Sequence, residues 1–527
     1  MSTRTASLAA ALVALAVTAP ALSAHAGGLY LGDRGVRPLG RGGAFVAGAD
    51  DPSALWYNPA GLSFSGRQLL FDTTLSFFDG SFSRIDGGGA VQPEVSVEGF
   101  PLPIPTLAYS DDFGLSHFTF GAGIFAPNAV LPKYPETITV DGVEQPAPQR
   151  YSLISMDGTL ILHATVGAAW RPIPQLSIGA AVELVMGSFR TRTTLSSCSR
   201  SIPCDQPEDV EYDTPSEVDL GPFFTPTAVL GVTYVEGIFR AGASFMLPYD
   251  ISGDATLRVR VPTAAFFDGA YVDGDKAALR LAFPWILRLG AEVRPLENLR
   301  VEATFVLEAW SRQQEISLVP EGVFLRNVTA LGDYEIGPVS VDRRMKDVIS
   351  VRLGGEYSLG PRDALTLRAG ALYESGAFDD SSLTVLTLDS DKLIASLGAS
   401  YEVTPGFSID VVYAHSFIRN REVRESTVSQ SNPIRPPPAN PVSVGNGDYT
   451  LEANTVGLGI RWQPGAHAPP ATTPAATETE TETATGTATE AGTATETETA
   501  TEAGAATETG TARPPATDPH VPWYLRH

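Results

Sequence analysis

Past its first 26 residues this 527-residue chain has no apolar run near the ~18 residues a membrane-crossing helix needs. If it crosses a membrane, it does so as a closed β-barrel, the other arrangement that satisfies backbone hydrogen bonds in lipid. Cationic clusters are also missing. With 60 acidic against 36 basic residues and a formal net charge of -24, the chain has no surface for a phosphate backbone, which excludes nucleic acid as a partner. Only two cysteines and seven histidines occur. No His/Cys/carboxylate spacing suits a tight metal site, and Gly87-Gly88-Gly89 and Gly40-Arg41-Gly42-Gly43 lack the strand-then-helix context of a phosphate loop. Neither metal nor cofactor is therefore expected.

What is present begins with a leader. Arg4 precedes an apolar run from Leu8 to Leu22 and an Ala24-His25-Ala26 cleavage pattern, so residues 1–26 read as a signal peptide with Gly27 as the new N-terminus. No cysteine follows at the cleavage position to carry a lipid anchor. In an oxidising exported compartment, Cys198 and Cys204, within a polar stretch, read as a small disulfide loop rather than a metal site.

Residues 27–66 are glycine-rich with little alternation and read as a compact irregular segment. From Gln68 to Trp462 the pattern is period two. Phe407, Ile409, Val411, Tyr413 and Phe417 oppose Ser408, Asp410, Ala414 and Ser416; Trp285, Leu287, Leu289, Ala291 and Val293 oppose Arg288, Gly290, Glu292 and Arg294. Strands are predicted over 67–78, 104–110, 114–125, 157–170, 174–190, 222–235, 237–249, 282–294, 298–312, 345–358, 363–374, 392–402, 406–417 and 450–462. Long and short connections alternate throughout. A sandwich has no reason to gather its long loops at one end, whereas an outer-membrane barrel has short periplasmic turns and long outer loops. The fold class predicted is all-β, an antiparallel transmembrane barrel of about 14 strands. Residues 463–527, largely Thr, Ala, Glu and Gly, cannot offset their conformational entropy and are predicted to be a disordered tail, in the periplasm because an even-stranded barrel returns the chain to its starting side.

Arg288, Glu292, Glu302, Arg352, Glu356, Arg368, Asp410 and Arg461 fall on the polar faces of these strands. Ionisable groups at membrane depth must pair or face water. They form either a mixed-sign structural network or a lining that meets a plug or solute. His117, His163 and His415 sit on different strands and no local feature marks a nucleophilic serine, so an enzyme is not expected. Gly121 and Gly123 interrupt the third strand ahead of Phe125-Ala126-Pro127, which marks either a strand end or a kink that opens the wall.

Gly40-Arg41-Gly42-Gly43-Ala44-Phe45, Asp50-Asp51-Pro52-Ser53-Ala54-Leu55-Trp56-Tyr57-Asn58-Pro59-Ala60-Gly61, Pro284-Trp285-Ile286-Leu287-Arg288-Leu289-Gly290-Ala291 and Ala309-Trp310-Ser311 together resemble the FadL/TodX family of outer-membrane transporters, over about residues 27–462. The resemblance implies a fourteen-stranded barrel (67–462) plugged by an N-terminal hatch (27–66). It implies passive uptake of long-chain fatty acids or other hydrophobic compounds, released sideways into outer-membrane lipid at a kinked third strand, by a monomer. On that analogy Asn58, Pro59, Ala60 and Gly61 hold the hatch turn, Gly121 and Gly123 sit at the kink, and Phe45, Leu55, Trp56 and Phe125 touch solute. A general porin for small polar solutes and a membrane-embedded lipid hydrolase are the competing readings.

Overall fold

The computed structural model describes residues 33–98, 102–128, 132–199, 202, 204, 208–360, 364–434 and 442–465; the leader and nearly all of the tail lie outside them. Fourteen antiparallel strands form the wall: β1 (Gln68–Arg84), β2 (Leu102–Asp111), β3 (Phe118–Asn128), β4 (Leu160–Ile173), β5 (Leu176–Ser196), β6 (Asp213–Glu236), β7 (Phe239–Met246), β8 (Ile286–Leu296), β9 (Leu299–Glu308), β10 (Val348–Leu359), β11 (Leu365–Glu374), β12 (Lys392–Thr404), β13 (Phe407–Ile418) and β14 (Gly447–Trp462). Each pairs with the next, and β14 pairs back onto β1 from Leu69↔Trp462 to Arg84↔Gly447, which closes the ring.

The alternation has the polarity of a barrel in lipid. On β13, Val411, Tyr413 and Phe417 are 45 %, 47 % and 56 % exposed while Asp410 is 1 % exposed, so the apolar face looks outward and the polar face inward. Phe118, Trp170, Tyr234, Phe239, Tyr357, Tyr401 and Trp462 stand outward near the short-turn ends of their strands, where amphipathic rings form an interfacial girdle.

On the long-loop side the sheet continues beyond the ring. Strands Tyr249–Val259 and Lys276–Phe283 pair with each other, the first also with β6 and the second with Glu315–Pro320. Sequence reading left most of this region as loop. Its apolar residues face a chamber among the loops, while Asp254, Arg258 and Arg280 on the other face give it a solvated look. For the same reason β5 and β6 run on past their expected ends at 190 and 222.

Residues 33–66 lie within the ring. Two short helices, Val36–Gly40 and Ala54–Tyr57, and a 3-10 turn, Pro59–Phe64, are almost wholly buried. Their backbone meets wall glycines on several sides: Ala47 at Gly242 and Gly290, Arg41 at Gly354 and Gly370, and Pro59 at Gly179. A Cβ at Gly354 would overlap the Arg41 carbonyl oxygen. Gly354→Val should therefore unseat this segment at a cost of about 3 kcal/mol or more, read as a lowered thermal midpoint and new protease cleavage within residues 33–66. An unchanged midpoint and cleavage pattern would mean that the segment does not bear on this wall.

Candidate functional site

The lumen divides into a charged half towards the short turns and an apolar half towards the long loops. In the charged half Arg41, fully buried, places Nη2 3.0 Å from both Glu292 and Glu302 and Nη1 2.8 Å from Glu356. Arg37 reaches Asp50 at 2.7 Å, Asp51 at 3.1 Å and Glu356 at 3.0 Å, and Arg300 meets Asp50 at 2.7 Å. Burial would raise the Asp50 carboxyl, but Arg300, Arg37 and Arg240 outweigh it and hold it well below the usual carboxylate range. Glu302 also accepts the backbone N–H groups of Val46, Ala47 and Gly48 at 2.7, 2.8 and 2.9 Å. Arg352 pairs with Asp33, and Arg461 with Asp410 at 2.7 Å. Of the eight luminal charges marked in the sequence, Glu292, Glu302, Glu356, Arg368, Asp410 and Arg461 belong to one mixed-sign network, in which Arg368 links Glu356 at 3.5 Å to Asp410 at 3.6 Å; Arg352 pairs apart from it with Asp33 and Glu374, and Arg288 stands outside it.

Asn58 shapes the turn of the N-terminal segment and also docks it. Its Oδ1 accepts from Ala60 N at 3.2 Å, while Nδ2 donates to the carbonyls of Val46 and Val232 and to Thr233 Oγ1 on β6. Gly61 must be glycine, since a Cβ there would overlap the Ala49 carbonyl oxygen. The Ala60 carbonyl accepts from Ser177 Oγ at 2.7 Å. Pro59 occupies the first position of the 3-10 turn, where a missing N–H costs nothing.

The four proposed solute contacts separate. Phe45 lies edge-on to Tyr57 and between Arg37 and Arg41, whose Cζ atoms are 5.2 and 5.3 Å from its ring centre, so it packs within the charged half. Leu55 fills the space left by Gly121 and Gly167 on the wall. Trp56 and Phe125 meet, with ring centres 5.7 Å apart. From them an aromatic run leads towards the loops: Trp56 to His163 (5.2 Å), His163 to Tyr249 (5.8 Å), Tyr249 stacked on Phe283 (4.7 Å), and Phe283 to Trp310 (5.9 Å). Leu281 and Leu279 continue the buried face of the Phe283 strand to a cavity of about 260 Å³ among the loops, lined by residues such as Phe189, Val218, Leu257, Leu279, Leu318 and Val341. Sequence reading missed His163, Tyr249, Phe283 and Trp310 as members of this run because each comes from a different strand or loop.

At its other end the run reaches a break in the wall. β2 pairs with β1 from Leu102 to Ser110, but with β3 only from Leu107 to Asp111. Gly121 and Gly123 are paired on both sides; the β2–β3 ladder stops after Ile124, and the β4 register shifts between Phe125 and Asn128. The β1 ladder passes Pro103 and Pro105 uninterrupted, so their proton-less nitrogens turn towards β3, where no ladder forms. Phe125, fully buried, stands at this seam.

The histidines are dispersed. His163 Nδ1 lies 2.7 Å from Glu183 and Nε2 3.4 Å from Tyr249 Oη; His117 Nδ1 is 2.9 Å from the Arg171 carbonyl; His415 Nδ1 is 2.9 Å from Asn454. Cys198 and Cys204 are both free thiols in this structure; Cys198 is buried among loop residues Tyr212, Phe267 and Leu325, and burial together with its hydrogen bond to Cys204 pushes its thiol up.

Residues 17–463 match the model of a family described as outer membrane protein transport protein (OMPP1/FadL/TodX). Outer membrane protein P1 of Haemophilus influenzae is 23 % identical over 481 residues, covering 86 % of this chain and 98 % of that one. Among solved structures, a Pseudomonas aeruginosa FadL homologue superposes with a TM-score of 0.66 at 18 % identity, covering 83 % of this chain and 99 % of that one. The P. putida toluene transporter TodX gives 0.59 at 19 %, covering 82 % and 99 %. The closed fourteen-stranded barrel, its outward apolar face and a family match across most of the sequence agree: this chain belongs to the OMPP1/FadL/TodX family of outer-membrane transport proteins.

Proposed function

We propose that this protein is a passive outer-membrane channel for long-chain fatty acids or other hydrophobic compounds. The observation that carries the reading is the aromatic run from the loop cavity through Phe283, Tyr249, His163 and Trp56 to Phe125 at the seam. Solute enters the loop cavity, moves along this line and leaves sideways between β2 and β3 into the bilayer. A poorly water-soluble molecule gains at each stage by staying out of water. Residues 27–66 are the hatch, and with the charged network they occlude the direct route to the periplasm. Residues 67–462 form the barrel and 463–527 a periplasmic tail. TodX is named a toluene transporter, which supports a hydrophobic cargo for this chain as well.

Reconstituted into liposomes, the full chain should admit a small sugar such as arabinose no faster than empty liposomes do, measured by osmotic swelling. Swelling at porin-like rates would replace this reading with that of a general porin. Cys198 and Cys204 form a disulfide in the exported protein: the peptide carrying both is expected about two mass units lighter before reduction than after it. Alkylation of both thiols without prior reduction would refute the bridge.

A further inference from the structure

The rings of Tyr249 and Phe283 stack where the sheet is least continuous. The wall ladder between β7 and β8 ends at Met246↔Ile286, and the outer ladder begins at Tyr249↔Phe283. Leu247-Pro248 on one strand and Pro284-Trp285 on the other separate the two, and neither proline has an N–H to bridge the gap. The flanks are open as well. Among the described residues, β6 pairs with the Tyr249–Val259 strand only from Ala255 onward, and Glu315–Pro320 pairs with the Lys276–Phe283 strand only as far as Arg280.

Side chains supply what the ladders leave out. Thr227 Oγ1 donates to the Leu247 carbonyl at 2.9 Å and Thr225 Oγ1 to the Asp250 carbonyl at 3.1 Å, while Gln313 Oε1 accepts from Ala282 N at 2.6 Å. Arg312 holds the stacked pair itself. Its Nη1 lies 2.7 Å from the Asp250 carboxylate and donates to the carbonyls of Phe283 and Tyr249 at 3.1 and 3.3 Å. The 3-10 turn that ends in Arg312 begins with Trp310, whose ring meets Phe283. One short turn thus carries one ring of the aromatic run and the group that ties down two others. Arg312 is 37 % exposed, and Asp250 also holds Arg280, 68 % exposed, so the clasp acts from the solvated face of the outer sheet, opposite the rings. An exposed ion pair alone contributes little. The two carbonyls give this one its consequence, because they fix the backbone from which both rings project.

We propose that Arg312 is a positioning residue: it holds Tyr249 and Phe283 against Trp310 and so sets the width of solute that can pass from the loop cavity to Trp56. Its charge is met by Asp250, so it is not itself a station for solute. A narrow molecule passes the fixed rings, whereas a branched one must part them against the clasp. This assignment rests on the reading of the chain as a hydrophobic-compound channel.

The test is uptake of two pairs of radiolabelled solutes that differ in width, palmitate with phytanate and toluene with mesitylene. The cells carry the unaltered chain, Arg312→Ala, Arg312→Lys, Arg280→Ala or no copy, and rates are corrected for the amount of folded barrel in the outer membrane. For whichever pair the unaltered chain carries, Arg312→Ala should raise the wide-to-narrow ratio about tenfold, the scale on which an apolar site tells apart solutes that differ by a methylene group. Arg312→Lys should fall between, since one ammonium cannot reach the carboxylate and both carbonyls at once. Arg280→Ala removes a partner of the same carboxylate but no backbone contact and should leave the ratio unchanged. A merely structural loss would slow both members of a pair alike. An unchanged or lower ratio in Arg312→Ala, or an equal rise in Arg280→Ala, overturns the positioning role and leaves the channel reading in place. If Arg312→Ala does not assemble, Arg312→Lys decides alone: a raised ratio supports the role and an unchanged one overturns it. Entry of neither pair faster with the unaltered chain than without it overturns both.

Discussion

Arg41→Ala is expected to release residues 33–66 from the lumen and to lower the stability of the barrel by about 3–5 kcal/mol. The side chain is the common partner of Glu292, Glu302 and Glu356, and all four groups are buried. Its loss leaves three carboxylates facing one another with fewer counter-charges, and such a remnant costs more than the intact network gains. Arg300 and Arg37 remain to hold part of Glu292 and Glu356, so the barrel itself should still assemble. The expected results are a lower temperature for the gel-mobility shift that reports barrel unfolding, and sensitivity of cells to a large antibiotic that the filled lumen normally excludes. Arg41→Lys should fall between, because one ammonium cannot reproduce a fork that spans three carboxylates. If Arg41→Ala leaves both unfolding and antibiotic exclusion unchanged, the network does not retain residues 33–66 in the lumen.

The second large effect concerns the seam. Ile104 on β2 and Ala126 on β3 pack in one small cluster with Leu162, across the region where the ladder is missing. With Cys198 and Cys204 replaced by serine, Ile104→Cys/Ala126→Cys offers a bridge between the two strand edges. Oxidation should bring uptake of a hydrophobic solute close to that of cells without the protein, a fall of about tenfold or more, and a reductant should restore it. The aromatic run ends at Phe125, beside two strand edges that no ladder joins and that a bridge would hold together. Uptake that persists after verified cross-linking would mean that solute does not leave between β2 and β3.

The barrel was legible because each strand obeys two solvents at once. Lipid demands Val411, Tyr413 and Phe417 on one face, and the lumen demands Asp410 on the other, so alternation survives in every segment. Where both faces meet water or loop, as in Tyr249–Val259, the second solvent is missing and the pattern loses its meaning. All eight luminal charges were marked with the correct face, yet their partners could not be read: Arg41 meets Glu292, Glu302 and Glu356, each hundreds of positions away. The glycines of β3 pointed to the right strand, but the break lies a few residues further on, where two prolines on β2 remove the donors that would have closed it. Trp56 and Phe125 were named separately, as solute contacts, by family resemblance alone; that their rings meet and that Arg288 stands beside Trp56 are facts of packing, not of pattern.

The central claim is that hydrophobic solutes, and not small polar ones, pass this barrel. Its most direct test is the uptake of radiolabelled oleate, toluene and a small sugar by cells with and without the intact chain. Oleate, toluene or both should enter faster where the chain is present, with no difference for the sugar. Faster entry of the sugar with no change for either hydrophobic compound would contradict it.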